Sequence, residues 1–289
     1  MKILQTPNAM TAWSARLRRE GVTIGFVPTM GALHDGHRAL IRAARLQCDA
    51  LVVSIFVNPT QFSPKEDLDT YPRPIAEDRA LCRQEGVDVC FEPTAAVMYP
   101  EGFQTVVTVP RIACRWEGES RPHHFDGVAT VVTKLLNIVR PHLTFFGQKD
   151  YQQAALVRQL ITDLNLGVTI HMRPTVRERN GLAKSSRNIY LTTEERRIAP
   201  LLYQALQAGR RAIKEGAEDA ALVQTIMRKV LSGEPSITID YMAVCDSVSL
   251  EPVTALDRPV VLLGAIRLGH VRLIDNVMVN VRKHRRNNV

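Results

Sequence analysis

The sequence predicts an α/β protein with a parallel sheet wrapped by helices, followed by a smaller α+β domain. Three observations carry this. Short apolar runs alternate with helical patterns over residues 1–175, the signature of βαβ units. From about Val176 the alternation gives way to consecutive helices followed by strands, a segregation typical of α+β domains. The polar clusters with chemical potential lie where apolar runs end, which is where open parallel sheets bind ligands. The first domain, 1–175, is therefore expected to be Rossmann-like, and 176–289 to form a C-terminal α+β lid.

In chain order, the helical pattern Met10–Glu20 precedes an apolar strand at Thr23–Val27, and a second helix is expected over Gly36–Gln47. Ala50–Val57 is apolar throughout, as expected of a strand buried on both faces. Helix Ile75–Glu85 leads to strand Val87–Phe91, and a further strand is expected at Val106–Val109. Helix Gly127–Val139, strand Leu143–Phe146, helix Tyr151–Asn165 and strand Val168–Met172 complete the first domain. The second is expected to hold helices Thr193–Glu215 and Glu218–Leu231, then strands Thr238–Cys245 and Val260–Leu268.

The most informative segment is Pro28-Thr-Met-Gly-Ala-Leu-His-Asp-Gly-His37. It joins a strand to a helix start, where unpaired N–H groups and the helix dipole favour an anion. Gly31 permits close backbone approach and Gly36 keeps the helix start free of bulk. The spacing is neither that of a P-loop nor the G-x-G-x-x-G of a dinucleotide fold. Two imidazoles, His34 and His37, stand where a P-loop has its lysine, and H-x-G-H suggests nucleotidyl transfer. A His-x-x-His pair also suits a metal, given further ligands nearby. Three more clusters point to one convergent site: Asn58, Pro59 and Gln61 after Ala50–Val57; Gly147-Gln-Lys-Asp-Tyr-Gln-Gln153; and Lys184-Ser-Ser-Arg-Asn188 near the domain junction.

Taken together, P-T-M-G-A-L-H-D-G-H, V-S-I-F-V-N-P-T-Q-F, G-Q-K-D-Y-Q-Q and S-S-R-N resemble the pantothenate synthetase (pantoate–β-alanine ligase) family, within the H-x-G-H nucleotidyltransferase-like proteins. The resemblance extends to Arg272–Asn276. It implies ATP-dependent condensation of pantoate with β-alanine through a pantoyl adenylate, releasing AMP and pyrophosphate. It implies catalytic roles for His37, His34 and Lys149. The ATP site it implies comprises Met30, Gly31, Ala32, Leu33, His34, Asp35, Gly36 and His37; Gly147, Gln148, Lys149 and Asp150; Val176; and Lys184, Ser185, Ser186 and Arg187. Gln61 would contact pantoate and β-alanine, Gln153 pantoate, and Asn58 would help hold the same end. Lys184 stands where the family usually has an apolar residue, and a basic tail reaching Arg286 extends past the family's usual end.

The chemistry suits these residue types independently. Charge building on phosphate oxygens calls for preorganised cationic and N–H donors, which His34, His37, Lys149, Ser185, Ser186 and Arg187 supply. Neutral amides at Gln61 and Gln153 hold a carboxylate without the quenching an arginine fork imposes. Asp150 either caps the helix at Tyr151 or contacts the ribose or Lys149. His124 is equally suited to helix entry and to the site. Mg2+ is expected to accompany ATP through phosphates and water, with no protein ligands.

Composition narrows the field. The chain has 289 residues, 45% hydrophobic and 23% charged, with net charge +8, ordinary for a globular protein and favourable to anionic ligands. No basic stripe interleaved with aromatics argues for nucleic acid. No run reaches membrane-spanning length. Five scattered cysteines form no C-x-x-C pair, as expected of a cytoplasmic protein. A homodimer is expected from the resemblance alone. Other nucleotidyltransferases and a tRNA-synthetase fragment share the H-x-G-H logic, but the two glutamines favour a small hydroxy acid.

Overall fold

The structure, a computed structural model, describes residues 1–64, 66 and 68–281. They fall into two compact units that divide after Val176. The basic tail from Arg282 to Arg286 lies outside the described residues.

The first unit is a six-stranded parallel sheet with strand order β1-β4-β3-β2-β5-β6. Its elements are β1 (Lys2–Leu4), α1 (Pro7–Arg19), β2 (Ile24–Thr29), α2 (Asp35–Arg45), β3 (Ala50–Ile55), α3 (Ile75–Gln84) and β4 (Val89–Phe91). Three short helices follow, α4 (Ala95–Met98), α5 (Pro110–Ala113) and α6 (Glu117–Ser120). Then come α7 (His124–Val139), β5 (Leu143–Gly147), α8 (Tyr151–Asp163) and β6 (Thr169–Arg173). The central strands are apolar because both faces are covered: Val27, Leu51, Val53 and Phe145 are fully buried with Ile41 of α2.

Two expectations for this sheet need correction. Val106–Val109 is not a strand. Val106 is exposed and Val107 donates its N–H to Thr130 Oγ1 of α7 (3.0 Å), so a helix side chain anchors this segment. The edge position is held by β1, whose three residues pair with Val89–Phe91. In addition, β2 runs past Val27 through Pro28 and Thr29.

The extension matters because β2 pairs unequally with its neighbours. It matches β3 from Ile24 to Thr29, but matches β5 only at Gly25 and Phe26. The Ile24 carbonyl accepts from His142 on the β5 side, and the Thr29 carbonyl from Phe56 on the β3 side. Alternation then turns Pro28 towards β5, where it has no N–H to offer. The sheet therefore opens between the carboxyl ends of β2 and β5. The strand order also reverses direction there, the usual position of a ligand crevice.

The second unit contains α9 (Thr193–Ile198), α10 (Leu201–Lys214) and α11 (Ala220–Leu231), and an antiparallel sheet of β7 (Ile237–Asp246), β8 (Val260–Leu268) and β9 (Val271–Val279). The single helix expected over Thr193–Glu215 is two helices. Thr192 and Glu195 form a capping box at the start of α9, and α10 begins after Pro200, which lacks the N–H needed to continue a helix. Leu206, Met227, Leu262 and Ile266 are fully buried between helices and sheet. Arg177 pairs bidentately with the buried Asp275, stacks 3.7 Å from the Tyr203 ring centroid, and donates to the Gly181 carbonyl (3.1 Å). No helix among the described residues is long and apolar enough to cross a membrane.

Candidate active site

The loop leaving β2 is held from behind. Thr29 Oγ1 donates to the Ser54 carbonyl (2.6 Å) and accepts from Gly31 N–H (3.2 Å). Gly31 and Ala32 adopt positive φ, 83° and 49°, uncommon for alanine. The Asp78 carboxylate of α3 stabilises this conformation by accepting from Ala32 N–H (2.9 Å) and Leu33 N–H (2.7 Å). Asp78 is 2% exposed; burial pushes its pKa up, and the two N–H bonds pull it back. In sequence Asp78 is indistinguishable from any acid in a helix's first turn, and its partners lie more than forty residues away. Asp78→Ala should destabilise the protein by ~1–3 kcal/mol, the cost of leaving buried donors unpaired. Urea denaturation and faster amide exchange at Ala32 and Leu33 check this; unchanged exchange would remove the holding role.

The two imidazoles form a capping box at the start of α2. His34 Nδ1 accepts from Gly36 N–H (3.1 Å), and His37 Nδ1 accepts from His34 N–H (3.3 Å). The rings lie 4.2 Å apart. A Cβ on Gly36 would stand 2.9 Å from His34 Nδ1, so glycine is required beneath the capping ring. Both Nδ1 lone pairs are in use, so each neutral ring carries its proton on Nε2. These histidines are hydrogen-bond donors, and neither offers Nε2 as a base or a metal ligand in this state. Burial, then the His34 charge, lowers His37 to about 3; Asp150 opposes and Lys149 adds to the effect.

That coupling brings the end of β5 to the same place. Gly147 closes the strand, and Gln148, Lys149 and Asp150 form a single 3-10 turn before α8. Lys149 Nζ lies 3.3 Å from Asp150 Oδ1. Asp150 occupies the N-cap position of α8 without a side-chain capping bond, so of its two readings the lysine contact is the one formed. Gln153 is half-buried on the first turn of α8. Its neighbour Gln152 is structural: Nε2 donates to the Ile112 and Arg115 carbonyls, both at 2.8 Å.

The third contribution follows β3. Pro59–Gln61 form a 3-10 turn in which Asn58 and Gln61 are buried. Gln61 Nε2 reaches the Met30 thioether (3.2 Å), joining this turn to the His34 loop. The Gln61 carbonyl is held by His124 Nδ1 (2.8 Å) and by Arg121 (3.4 Å). Arg121 also donates to His124 Nε2 (3.0 Å) and pairs with Glu66. A guanidinium only donates and a carbonyl only accepts, so His124 is neutral with its proton on Nδ1. Both its nitrogens are engaged, which makes it a support at the entry to α7. Burial and the Arg121 charge lower His124 to about 4, against the pull of the Gln61 carbonyl.

His37 and His124 impose acid sensitivity. In the unfolded chain they take up protons near pH 6.5, whereas folded His124 resists until about 4. Their contribution is therefore complete above pH 6.5 and is lost as pH falls from 6.5 towards 4. Urea midpoints measured from pH 7 to 4.5 should decline, and His124→Asn should flatten the slope. An identical slope in the variant would count against this origin.

Val176 ends the first unit, while Lys184, Ser185, Ser186 and Arg187 belong to the second. There Ser185 Oγ accepts from Arg187 N–H (3.3 Å) at the start of the turn Ser186–Tyr190, and buried Asn188 donates to the Ala183 carbonyl (3.0 Å). Arg177, Gly181 and Asp275 brace the base of this segment.

A parallel sheet opening at β2 and β5, with two donor imidazoles and a lysine at the opening, defines a Rossmann-like α/β enzyme of the H-x-G-H class. The sequence profile described as pantoate-beta-alanine ligase matches residues 2–278. A pantothenate synthetase of Heliobacterium modesticaldum is 48% identical over 97% of this chain and 100% of that protein. One from Syntrophotalea carbinolica is 51% identical over 90% and 92%. The crystal structure of pantoate-beta-alanine (pantothenate synthetase) from Thermus thermophilus superposes with a TM-score of 0.91 at 44% identity, covering 96% of this chain and 99% of that one. A pantoate-beta-alanine ligase of Francisella tularensis, solved with beta-gamma ATP and beta-alanine, gives 0.77 at 35% identity, covering 96% and 97%. The chain belongs to the pantoate–β-alanine ligase family. It is a ligase that forms pantothenate from pantoate and β-alanine.

Proposed function

We propose that ATP drives this condensation through a pantoyl adenylate. A pantoate carboxylate oxygen attacks the α-phosphorus of ATP, the bond to the β-phosphate bridging oxygen breaks, and pyrophosphate leaves. The β-alanine nitrogen then attacks the acyl carbon, the carbon–oxygen bond to the phosphate breaks, AMP leaves, and the nitrogen loses a proton to solvent. The capping geometry of the two imidazoles carries this reading. With both Nδ1 atoms bonded to backbone N–H groups, the Nε2–H groups are preorganised donors for phosphate oxygens. His37 is assigned to the transition state and departing pyrophosphate, and His34 to gripping the phosphates. Lys149 adds positive charge after β5, and Met30–His37 and Gly147–Asp150 line the nucleotide site. Gln61 and Gln153 hold pantoate, and Gln61 also holds β-alanine.

Ser185, Ser186 and Arg187, with Val176 and Lys184 nearby in sequence, are assigned to the nucleotide as part of a lid built on the second unit. Among the described residues no three His, Cys, Asp or Glu side chains converge on a metal site. Mg2+ is assigned to the ATP phosphates and water. The relative from Francisella tularensis, solved with beta-gamma ATP and beta-alanine, supports ATP and β-alanine as ligands here. A homodimer is proposed, to be read by light scattering as twice 32.3 kDa. The five free cysteines fit a reducing, cytoplasmic setting.

Exchange of labelled pyrophosphate into ATP tests the order of steps. It should occur with pantoate alone, and AMP should accumulate only when β-alanine is added. Exchange that required β-alanine would overturn the adenylate.

A further inference from the structure

Asn58 is 1% exposed, and its side-chain amide uses every hydrogen-bonding position it has. Its Nδ2 donates to the Gly127 carbonyl (3.2 Å) and to Gln61 Oε1 (3.0 Å). Its Oδ1 accepts from the Tyr99 hydroxyl (2.7 Å) and from Thr60 Oγ1 (3.0 Å). The orientation of this amide is dictated by its partners. A backbone carbonyl only accepts, so the NH2 group must face Gly127, which leaves the oxygen for the two hydroxyls. The second Asn58 N–H then points at the Gln61 oxygen. Gln61 is thereby turned with its side-chain oxygen facing the Asn58 amide and its NH2 directed to the Met30 thioether (3.2 Å), a weak acceptor. Gly127 lies tight against this turn, since a Cβ there would meet the Thr60 carbonyl at 2.4 Å. The anchoring carbonyl is therefore fixed in place.

We propose that Asn58 and Tyr99 are positioning residues that lock Gln61 with its NH2 presented as a donor, so that it favours ligand oxygens over ammonium groups. This rests on Gln61 as the substrate contact assigned above. Pantoate presents carboxylate and hydroxyl oxygens to such a group. β-Alanine meets it through its carboxylate, which leaves its amine directed away from Gln61 as the nucleophile. Asn58, with no position left, supports Gln61 and does not itself hold substrate, unlike the role expected of it from sequence.

The orientation can be reversed. Asn58→Asp has no N–H to give Gln61, so the Gln61 amide should turn its NH2 inward and present its oxygen. The test compares the binding of pantoate and of its carboxamide, which replaces one acceptor with donors, as dissociation constants measured without ATP. The wild type should favour the carboxylate strongly, and Asn58→Asp should reduce that preference at least about tenfold, the scale of a reversed hydrogen bond. Tyr99→Phe, a milder change that keeps Thr60 as a donor, should raise the KM for pantoate about threefold to tenfold. The KM for ATP should be unchanged and the Tm should fall only by what one lost hydrogen bond costs, a split that general structural damage does not produce. An unaltered preference in Asn58→Asp, or in Tyr99→Phe an unaltered pantoate KM or a parallel loss for ATP, would overturn the proposal. Should Asn58→Asp not fold, Tyr99→Phe decides alone. Failure of the underlying assignment looks different: the wild type itself would show no pantoate-dependent pyrophosphate exchange, and its Gln61 side-chain NH2 resonances would not shift with pantoate.

Discussion

Replacing His37 with alanine is expected to lower turnover by about a hundredfold or more, the scale for losing one preorganised transition-state donor. The cause is local. His37 Nδ1 is tied to the His34 N–H, which fixes the ring and leaves its proton on Nε2, so the donor is already aimed before charge develops. Loss of the capping bond alone costs only about 1 kcal/mol of stability, so the variant should fold and bind its ligands. Chemical quench within a single turnover separates the steps: adenylate formation should be slowed, while reaction of preformed adenylate with β-alanine should be affected less. Adenylate formed at the normal rate in His37→Ala would remove His37 from this step.

The largest effect on stability is expected at Arg177. Its partner Asp275 is buried, with a side-chain exposure of 4%, and removing one member of a buried pair costs roughly 3–5 kcal/mol because the other charge is stranded. Arg177→Ala should therefore shift the urea midpoint by far more than any exposed ion-pair variant. Arg177→Lys should recover only part of the loss, because lysine neither forks onto the carboxylate nor stacks on Tyr203 as a plane. The double variant Arg177→Ala, Asp275→Ala should lose less than the two single losses added together. Strict additivity would mean that the contact contributes little.

What was legible in the sequence was what acts over short range. The strand–helix alternation marked β2, β3, β5 and their helices, and His34, His37 and Lys149 stand out because strand end, turn and helix start adjoin in the chain. The rest depended on distant partners. Three residues of β1 carry too little periodicity to read, yet β4 gives them a ladder. Val106–Val109 has the right composition for a strand, but its N–H bonds to Thr130. Charged and amide residues interrupt β9, and the charge partner of the buried acid Asp275 is Arg177, 98 residues away. Asp78 and the orientation of Gln61 are likewise settled by groups tens of residues away.

The parting of β2 from β5 has a consequence for how such a protein can improve. A proline in an interior strand is normally selected against because it forfeits a ladder bond. Here it faces the one flank along which the sheet must stay open. Any ordinary residue at 28 would restore an N–H on that flank and favour closure, so screens that reward heat resistance alone should drift towards replacing it and lose catalysis on the way. Tolerance to heat and competence at the bench would then pull this position in opposite directions. Stabilisation of this enzyme is better sought in the second unit or on exposed helix faces.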